Sequence, residues 1–333
     1  MRFLEEILYL SSLKGIGRSA LNDGFVPWNR WCESLGRPRK APFRLAEEWL
    51  RQTGRKPSKT ETEAARKKTQ EVLEWLARHE NVRVCTVFDD EYPESLAVMR
   101  SQRPPVLYIS GSAASIDQRF LSDSGIGISV PLSPSLAVIG SRWPGEYTLE
   151  NGPVFVKKLV SQAGMVIISG LARGCDRMGH LAALDNRIPT IAVMPCGPDT
   201  VVPEVNRDLA ARITEGQGLL VTEYPPGTPP AEYRYVERDR VTAALSSAAV
   251  VVECGMKSGT MQTVKAAQSF GKPVACWYPE SAEQYGFEGN RYMIEQMGAF
   301  RLRDANSLAE FLEMVKQSEK HRSMFPEQLT LFD

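Results

Sequence analysis

The sequence predicts an α/β fold with a doubly wound, mostly parallel sheet and a small helical domain at its N-terminus. Three observations lead there. From Leu136 onward, short and continuously apolar runs recur: LAVI at 136–139, MVII at 165–168, TIAVM at 190–194, GLLVT at 218–222, AVVV at 249–252 and PVACW at 273–277. Helical stretches separate most of them, at 148–163, 176–187, 204–215 and 260–271. Runs without polar alternation are strands covered on both faces, and strands joined through helices pair in parallel. Several runs also end in glycine with a hydroxyl or basic residue close by, as strand-to-helix turns do.

The elements upstream are of a different kind. Leu4, Ile7, Leu8 and Leu10 lie near helical spacing, followed by Leu13-Lys14-Gly15-Ile16-Gly17 and Leu21. An apolar-x-Gly-apolar-Gly turn is the hairpin of helix-hairpin-helix modules, whose glycines let backbone N–H groups approach a phosphate. The alternative is a helical turn that only packs. Gly24 and Pro27 are expected to stop the second helix early. Between 25 and 78, basic residues such as Arg37, Arg39, Lys40, Arg66, Lys67 and Lys68 outnumber the acidic ones and alternate with Trp28, Trp31, Phe43 and Trp49. That mixture suits contact with nucleic acid, and equally a solvated helical face over buried tryptophans. Within it, 60–78 reads as one charged helix, capped by Thr60, with Glu63–Lys67 and Glu74–Arg78 pairs and an apolar end at Val72, Leu73, Trp75 and Leu76. Strand character appears at 82–87 and 104–109, and 111–135 is a Ser/Gly/Pro-rich linker or surface excursion. The expected organisation is a helical domain with a basic insert over 1–78, an α/β domain over 79–304 with its core at 136–304, and a C-terminal helix and tail over 305–333.

Composition removes several function classes. The chain has 333 residues, with Lys+Arg and Asp+Glu each 40 and a formal net charge of zero, so it is not a generally polybasic coat for DNA. At 43% hydrophobic and 24% charged, it is ordinary for a globular protein. Six cysteines without a CxxC pair, and His79, His180 and His321 far apart, argue against a zinc ribbon or finger and suggest no disulfide framework. No metal and no cofactor is expected. The opening MRFLEEILYLSS carries Glu5 and Glu6 where a signal peptide is apolar. No apolar run approaches the ~18 residues of a membrane span. A cytoplasmic protein without membrane contact is the expectation.

In an open parallel sheet, ligands bind beyond the carboxyl ends of the strands. The residues there are Gly140-Ser141-Arg142, Ser169-Gly170-Leu171-Ala172-Arg173, Cys196-Gly197, Glu223-Tyr224 and Lys257-Ser258-Gly259-Thr260. Glycine admits backbone N–H groups, hydroxyls donate and arginine clamps, which is the chemistry of phosphate contact. For any single glycine, tight strand-to-helix packing is the competing reading. A dinucleotide fingerprint is absent, since 140–147 reads GSRWPGEY, and so is a Walker A loop. A Cys–His nucleophile pair would need His180, which is expected inside the helix after the second strand in a core or capping role.

Together these strings resemble the DprA/Smf family of bacterial DNA-processing proteins. The matching stretches are VIGSR at 138–142, SGLARGCD at 169–176, PCGPDTVVPEVNRDLA at 195–210, TEYPPGTPP at 222–230, ERDRVTAALS at 237–246, SGTMQTVKAA at 258–267 and EGNRYMIEQMGA at 288–299. Upstream, YPESL at 92–96 and PPVLYISG at 104–111 fit as well. The resemblance implies an extended Rossmann-like fold behind a sterile-alpha-motif-like helical domain, and a homodimer. It implies a single-stranded DNA-binding protein without catalytic residues that hands the strand to the RecA recombinase. Carried over, Gly140, Ser141, Arg142, Ser169, Gly170, Arg173, Lys257, Ser258 and Gly259 would line the phosphate site, and Arg238 and Arg240 would match the two arginines of the family's Arg-Asn-Arg. Asp239 stands where that motif has Asn, placing a negative charge beside phosphate. The sequence departs from the family in the enlarged 25–75 region, in the 115–134 excursion and in lacking the winged helix that ends many members.

Two other functions compete. Phosphoribohydrolases of similar fold carry PGGxGTxxE, but here the stretch is ECGMKSGTMQT, with Thr263 in place of the glutamate. DprA-like proteins without a winged helix also accompany defence and toxin–antitoxin modules, where the partner would be a toxic effector encoded nearby. The chain ends in Gln328-Leu329-Thr330-Leu331-Phe332-Asp333. Gln-Leu-x-Leu-Phe resembles the peptide that docks on the β sliding clamp, with Gln328, Leu329, Leu331 and Phe332 as contacts.

Overall fold

The structure, a computed structural model, describes residues 3–34, 43–111, 134–284 and 287–324. The N-terminal part holds α1 (Leu4–Ser11), a π-helical turn Ala20–Phe25 that runs directly into α2 (Val26–Ser34), α3 (Arg44–Gln52) and α4 (Lys59–Arg78). A hairpin follows, β1 (Val82–Thr86) and β2 (Val106–Ser110), joined through a 3-10 segment at Glu94–Gln102. Then come β3 (Ser135–Ile139), α5 (Glu146–Ala163), β4 (Val166–Ser169), α6 (Cys175–Asp185), β5 (Thr190–Val193), α7 (Arg207–Glu215), β6 (Gly218–Thr222) and α8 (Glu232–Leu245). The last are β7 (Ala248–Val251), α9 (Thr260–Ser269), β8 (Val274–Trp277), α10 (Glu288–Met297), β9 (Phe300–Leu302) and α11 (Ala305–Met324).

One sheet runs in the order β1-β2-β6-β5-β4-β3-β7-β8-β9. From β6 to β9 all neighbours are parallel, while β2 pairs antiparallel with both β1 and β6. The parallel strands β3 to β8 are the apolar runs of the sequence, β9 being an addition the sequence did not signal, and β3, β4, β5 and β7 are buried along their whole length. This is a Rossmann-like α/β fold. One face of the sheet packs Leu136, Val138 and Val250 against Val156, Leu159 and Val160 of α5, and α11 adds Leu308, Phe311, Leu312 and Val315 to that cluster. The chain from 305 is therefore part of the core as far as Val315. Lys272 closes the C-terminal end of α8, its ammonium donating to the carbonyl of Ala243 at 3.0 Å. Among the described residues no helix is long and apolar enough to cross a membrane, and no group of three or more metal-binding side chains forms.

The N-terminal helices differ from expectation in three ways. The helix does not end at Gly24 and Pro27. A Cβ at Gly24 would lie 2.8 Å from the ring of buried Trp49, so glycine serves the packing. Pro27 falls just after the π-helical turn, where the helix passes into α2. Ser58, not Thr60, caps α4, in a capping box with Glu61. The ion pairs along α4 are Lys59–Glu63 and Lys67–Glu71, and Arg78 donates to the Glu74 carbonyl rather than its carboxylate. Phe25 packs against both Trp28 and Trp49, so these aromatics build a core, with Trp28 half-buried, rather than a row of exposed stacking faces. That core continues into the hairpin through Val82, Val106 and Tyr108.

Arg18 ties the helical part to the sheet. Its Nε meets Glu223 at 2.8 Å and a terminal nitrogen meets Glu237 at 2.9 Å. Glu223 also pairs with Arg240 at 2.7 Å, and the Tyr224 hydroxyl donates to Glu237 at 2.7 Å. Glu223 is buried, so removing one cation leaves a desolvated carboxylate under-neutralised. Arg18→Ala is expected to lower unfolding stability by about 2 kcal/mol, with Arg18→Lys between the two. Urea denaturation measures it, and an unshifted midpoint for the alanine variant would show that the linkage contributes no stability.

Candidate functional site

Connections run one way from β3 through β4, β5 and β6, and the other way from β7 to β9. The reversal opens a crevice between the carboxyl ends of β3 and β7. A cleft of about 860 Å³ lies there, lined by the turn after β3, the loop after β4, one side of α8 and the turn before α9.

Backbone contacts hold its turns together. Ser141 N–H donates to the Glu253 carbonyl at 2.7 Å, and Cys175 N–H donates to the Ser141 carbonyl at 3.1 Å. A Cβ at Gly140 would sit 2.7 Å from Cys175 Sγ, so this glycine permits the close fit of β3 to α6. The Glu253 carboxylate accepts from the N–H of Gly145 at 3.0 Å, at the start of α5. In the loop after β4, Asp176 accepts from the N–H groups of Gly170 at 3.1 Å and Ala172 at 3.3 Å. Asn206 donates to the carbonyls of Leu171 and Ala172 at 2.9 and 3.2 Å. These contacts fix a loop in which Leu171 has a positive φ of 59°.

Helix α8 supplies the floor. Three successive residues on a helix point about 100° apart, and Arg238, Asp239 and Arg240 accordingly serve three surroundings. Arg238, 4% exposed, reaches under the loop after β4 and donates to the Val193 carbonyl at 2.8 Å. Its guanidinium occupies the space that a side chain at Gly170 would need. Asp239 faces the cleft and forms an ion pair with Arg238 Nε at 3.0 Å. Burial pushes its carboxyl up to about 6, with Asp176 adding to the rise and Arg238 and Arg142 opposing it. Arg240 turns the other way, where Glu223 after β6 and the carbonyl of Gln102, at the end of the 3-10 segment, hold it.

The rim is cationic and aromatic. Arg142 lies over Tyr235 at 4.7 Å, and Arg173 over Trp143 at 5.0 Å. Trp143 is 74% exposed, and Lys257 is exposed on the same cleft lining. The hydroxyls of Ser141 and Ser258 accept from the N–H groups of Trp143 and Thr260, at 3.1 and 3.2 Å, and so shape their own turns.

Of the residues singled out from sequence, Gly140, Ser141, Arg142, Gly170, Arg238, Lys257, Ser258 and Gly259 line the cleft together. Arg173 sits above it on Trp143. Ser169 and Arg240 are not brought there: the Ser169 hydroxyl is buried against the Val138 carbonyl at 2.6 Å, and Arg240 is spent on Glu223. Gln328, Leu329, Leu331 and Phe332 lie outside the described residues, as do Arg37, Arg39, Lys40 and 112–133 of the excursion. Sequence reasoning missed Trp143 and Tyr235, although a tryptophan directly after a Gly-Ser-Arg strand end was a signal of an exposed ring. His180 is fully buried on α6, its Nδ1 within 2.7 Å of the Thr190 hydroxyl, and burial pushes its imidazole down to about 3. Burial raises the Cys175 thiol and pushes Cys196 up to about 11, far from the poise of a nucleophile.

The profile of the DNA recombination-mediator protein A family matches residues 83–313. The chain belongs to that family. Among curated relatives, it is 29% identical to the DNA processing protein DprA of Streptococcus pneumoniae over 228 residues, 68% of this chain and 73% of the relative. It is 36% identical to Protein Smf of Escherichia coli over 178 residues, 54% of this chain and 47% of the relative. The chain thus spans about half the length of the Smf relatives from Escherichia coli and Synechocystis. The X-ray structure of the Streptococcus pneumoniae DprA superposes with a TM-score of 0.68 at 23% identity, over 92% of this chain and 97% of that one. A Helicobacter pylori DNA processing protein A, studied for its single-stranded DNA binding mode, gives a TM-score of 0.56 at 23% identity, over 71% and 96%. Both share the fold. The GSR, SGLARG and SGT turns of this family member all converge on the one cleft.

Two outcomes test this geometry. Gly170→Ala drives a methyl into the Arg238 guanidinium and is expected to cost about 2 kcal/mol, whereas Gly259→Ala, whose methyl meets nothing, stays near neutral. Thermal unfolding of both compares them, and equal midpoints would refute the close approach. Asp239 also makes stability depend on pH. Its folded value of about 6 lies above the ordinary 3.8, so the stability it contributes is complete below pH 3.8 and is lost as pH rises through 6. Asp239→Asn should therefore match wild type near pH 4 and exceed it by about 1–2 kcal/mol near pH 7.5. A pH-independent difference would contradict this.

Proposed function

We propose that the chain binds single-stranded DNA across this cleft and acts as a recombination mediator rather than as an enzyme. The observation that carries the reading is the pairing of exposed cations with aromatic rings at the strand ends: Arg142 on half-buried Tyr235, Arg173 on exposed Trp143, with Lys257 exposed on the same cleft lining as Arg142. Cations neutralise backbone phosphates while rings stack on unpaired bases, a combination a duplex does not need because its bases are already stacked. Family membership and the fold shared with a DNA-processing protein studied for single-stranded DNA binding support it. The chemistry within the cleft agrees: Thr263 lines it where a hydrolase would need a carboxylate, Asp176 is committed to loop N–H groups, and His180 is held neutral in the core.

A fluorescence anisotropy titration against single-stranded and duplex oligonucleotides tests the reading, with single-strand preference and steep salt dependence expected. Arg142→Ala should weaken binding and reduce the slope of log K against log salt by ~0.7, as loss of one phosphate contact does on single strands. Trp143→Ala should weaken binding about tenfold at an unchanged slope, since stacking releases no counterion. Arg240→Ala should leave affinity and slope alone. Indifference of binding to both Arg142→Ala and Trp143→Ala would place the DNA elsewhere on the protein.

A further inference from the structure

The cleft is larger than a phosphate group requires, and its charges are not arranged to hold one at the floor. Among its lining residues, Arg142 and Lys257 are exposed at the rim, whereas Arg238 at the floor already faces Asp239 and Asp176. A phosphate is drawn to the rim and repelled by two carboxylates from the floor. Asp239 has one oxygen engaged, at 3.0 Å from Arg238 Nε, and among the described residues no hydrogen bond reaches the other. An ionised carboxylate is an acceptor only, so the open oxygen calls for a donor. Tyr235 and Trp143, on the same lining, supply flat apolar rings, each with one face already under an arginine, Arg142 or Arg173.

We propose that the floor of the cleft takes a nucleobase, and that Asp239 selects bases presenting an amine, cytosine over thymine. This rests on the DNA-binding reading above. The base stacks against the aromatic faces while its exocyclic amine donates to the open carboxylate oxygen. Cytosine offers that donor through N4, where thymine offers a carbonyl oxygen that the carboxylate repels. The phosphates on either side then fall at Arg142 and Lys257. Asp239, which appears at first to damage a phosphate site, becomes the group that reads the strand.

The test is anisotropy with the full chain at pH about 7.5, using labelled oligodeoxycytidine and oligodeoxythymidine of one length. Wild type is expected to favour oligodeoxycytidine by about five- to tenfold, the low end for one base contact. Asp239→Asn, whose amide also donates to a thymine carbonyl, should bring the ratio to about one or invert it, and Asp239→Ala should bring it to about one, with both strands still bound. A wild-type ratio near one, or a preference that survives both substitutions, would overturn base reading while leaving DNA binding intact. Absence of wild-type binding to either strand would overturn the DNA reading itself and this inference with it.

Discussion

The Arg238 guanidinium fills the space over Gly170, and the rest of the cleft follows from that contact. A buried arginine is tolerated only when its charge and N–H groups are answered. Here the Val193 carbonyl takes one N–H and the carboxylates of Asp239 and Asp176 answer the charge, while Nε makes an ion pair without a hydrogen bond. Asp176 in turn gathers the N–H groups of Gly170 and Ala172, and Asn206 gathers carbonyls of the same loop. One cation thus fixes a strand-end loop, the first turn of α6 and the lie of α8 against β5. The exposed rim residues Arg142, Trp143 and Arg173 are mounted on this frame.

A second ionic cluster has another task. Arg18, Glu223, Arg240 and Glu237 join the N-terminal helices to the end of β6. Arg240 lies two residues from Arg238 on the same helix, yet it faces a different neighbour because each helical step turns the side chain by about 100°. A motif of alternating arginines therefore reads in sequence as one phosphate clamp, but in space it splits into a floor and an interdomain tie. In the basic stretch at 25–78, where described, Arg66 pairs with Glu47 and Trp49 is buried under Gly24, while Lys67 and Lys68 stay exposed on the surface of α4.

The parallel strands from β3 to β8 were readable because each is a short, largely apolar run, and their ends pointed to the right turns. Helix α8 was not. Its inward face carries Arg238 beside Val241 and Thr242, and its cleft face carries Tyr235 and Asp239, so no apolar stripe announces a helix. Strand β9 is three residues long with only Leu302 buried, too short for a pattern. Within the site, sequence located the glycines and cations but not their division of labour. Ser169 and Ser141 look alike in one dimension, yet one bonds a neighbouring strand's carbonyl inside the sheet and the other shapes a turn at the cleft.

On the reading proposed above, a single strand runs over the cleft at the ends of β3 and β7, past Trp143 and Tyr235. Photocrosslinking with a single-stranded oligonucleotide carrying 5-iodocytosine, followed by peptide mapping, tests it most directly, because the excited base attaches to the ring on which it stacks. The account predicts crosslinks in the tryptic peptide that begins at Trp143, or in the one carrying Tyr235. Crosslinks confined to the helices between Val26 and Arg78 would contradict it.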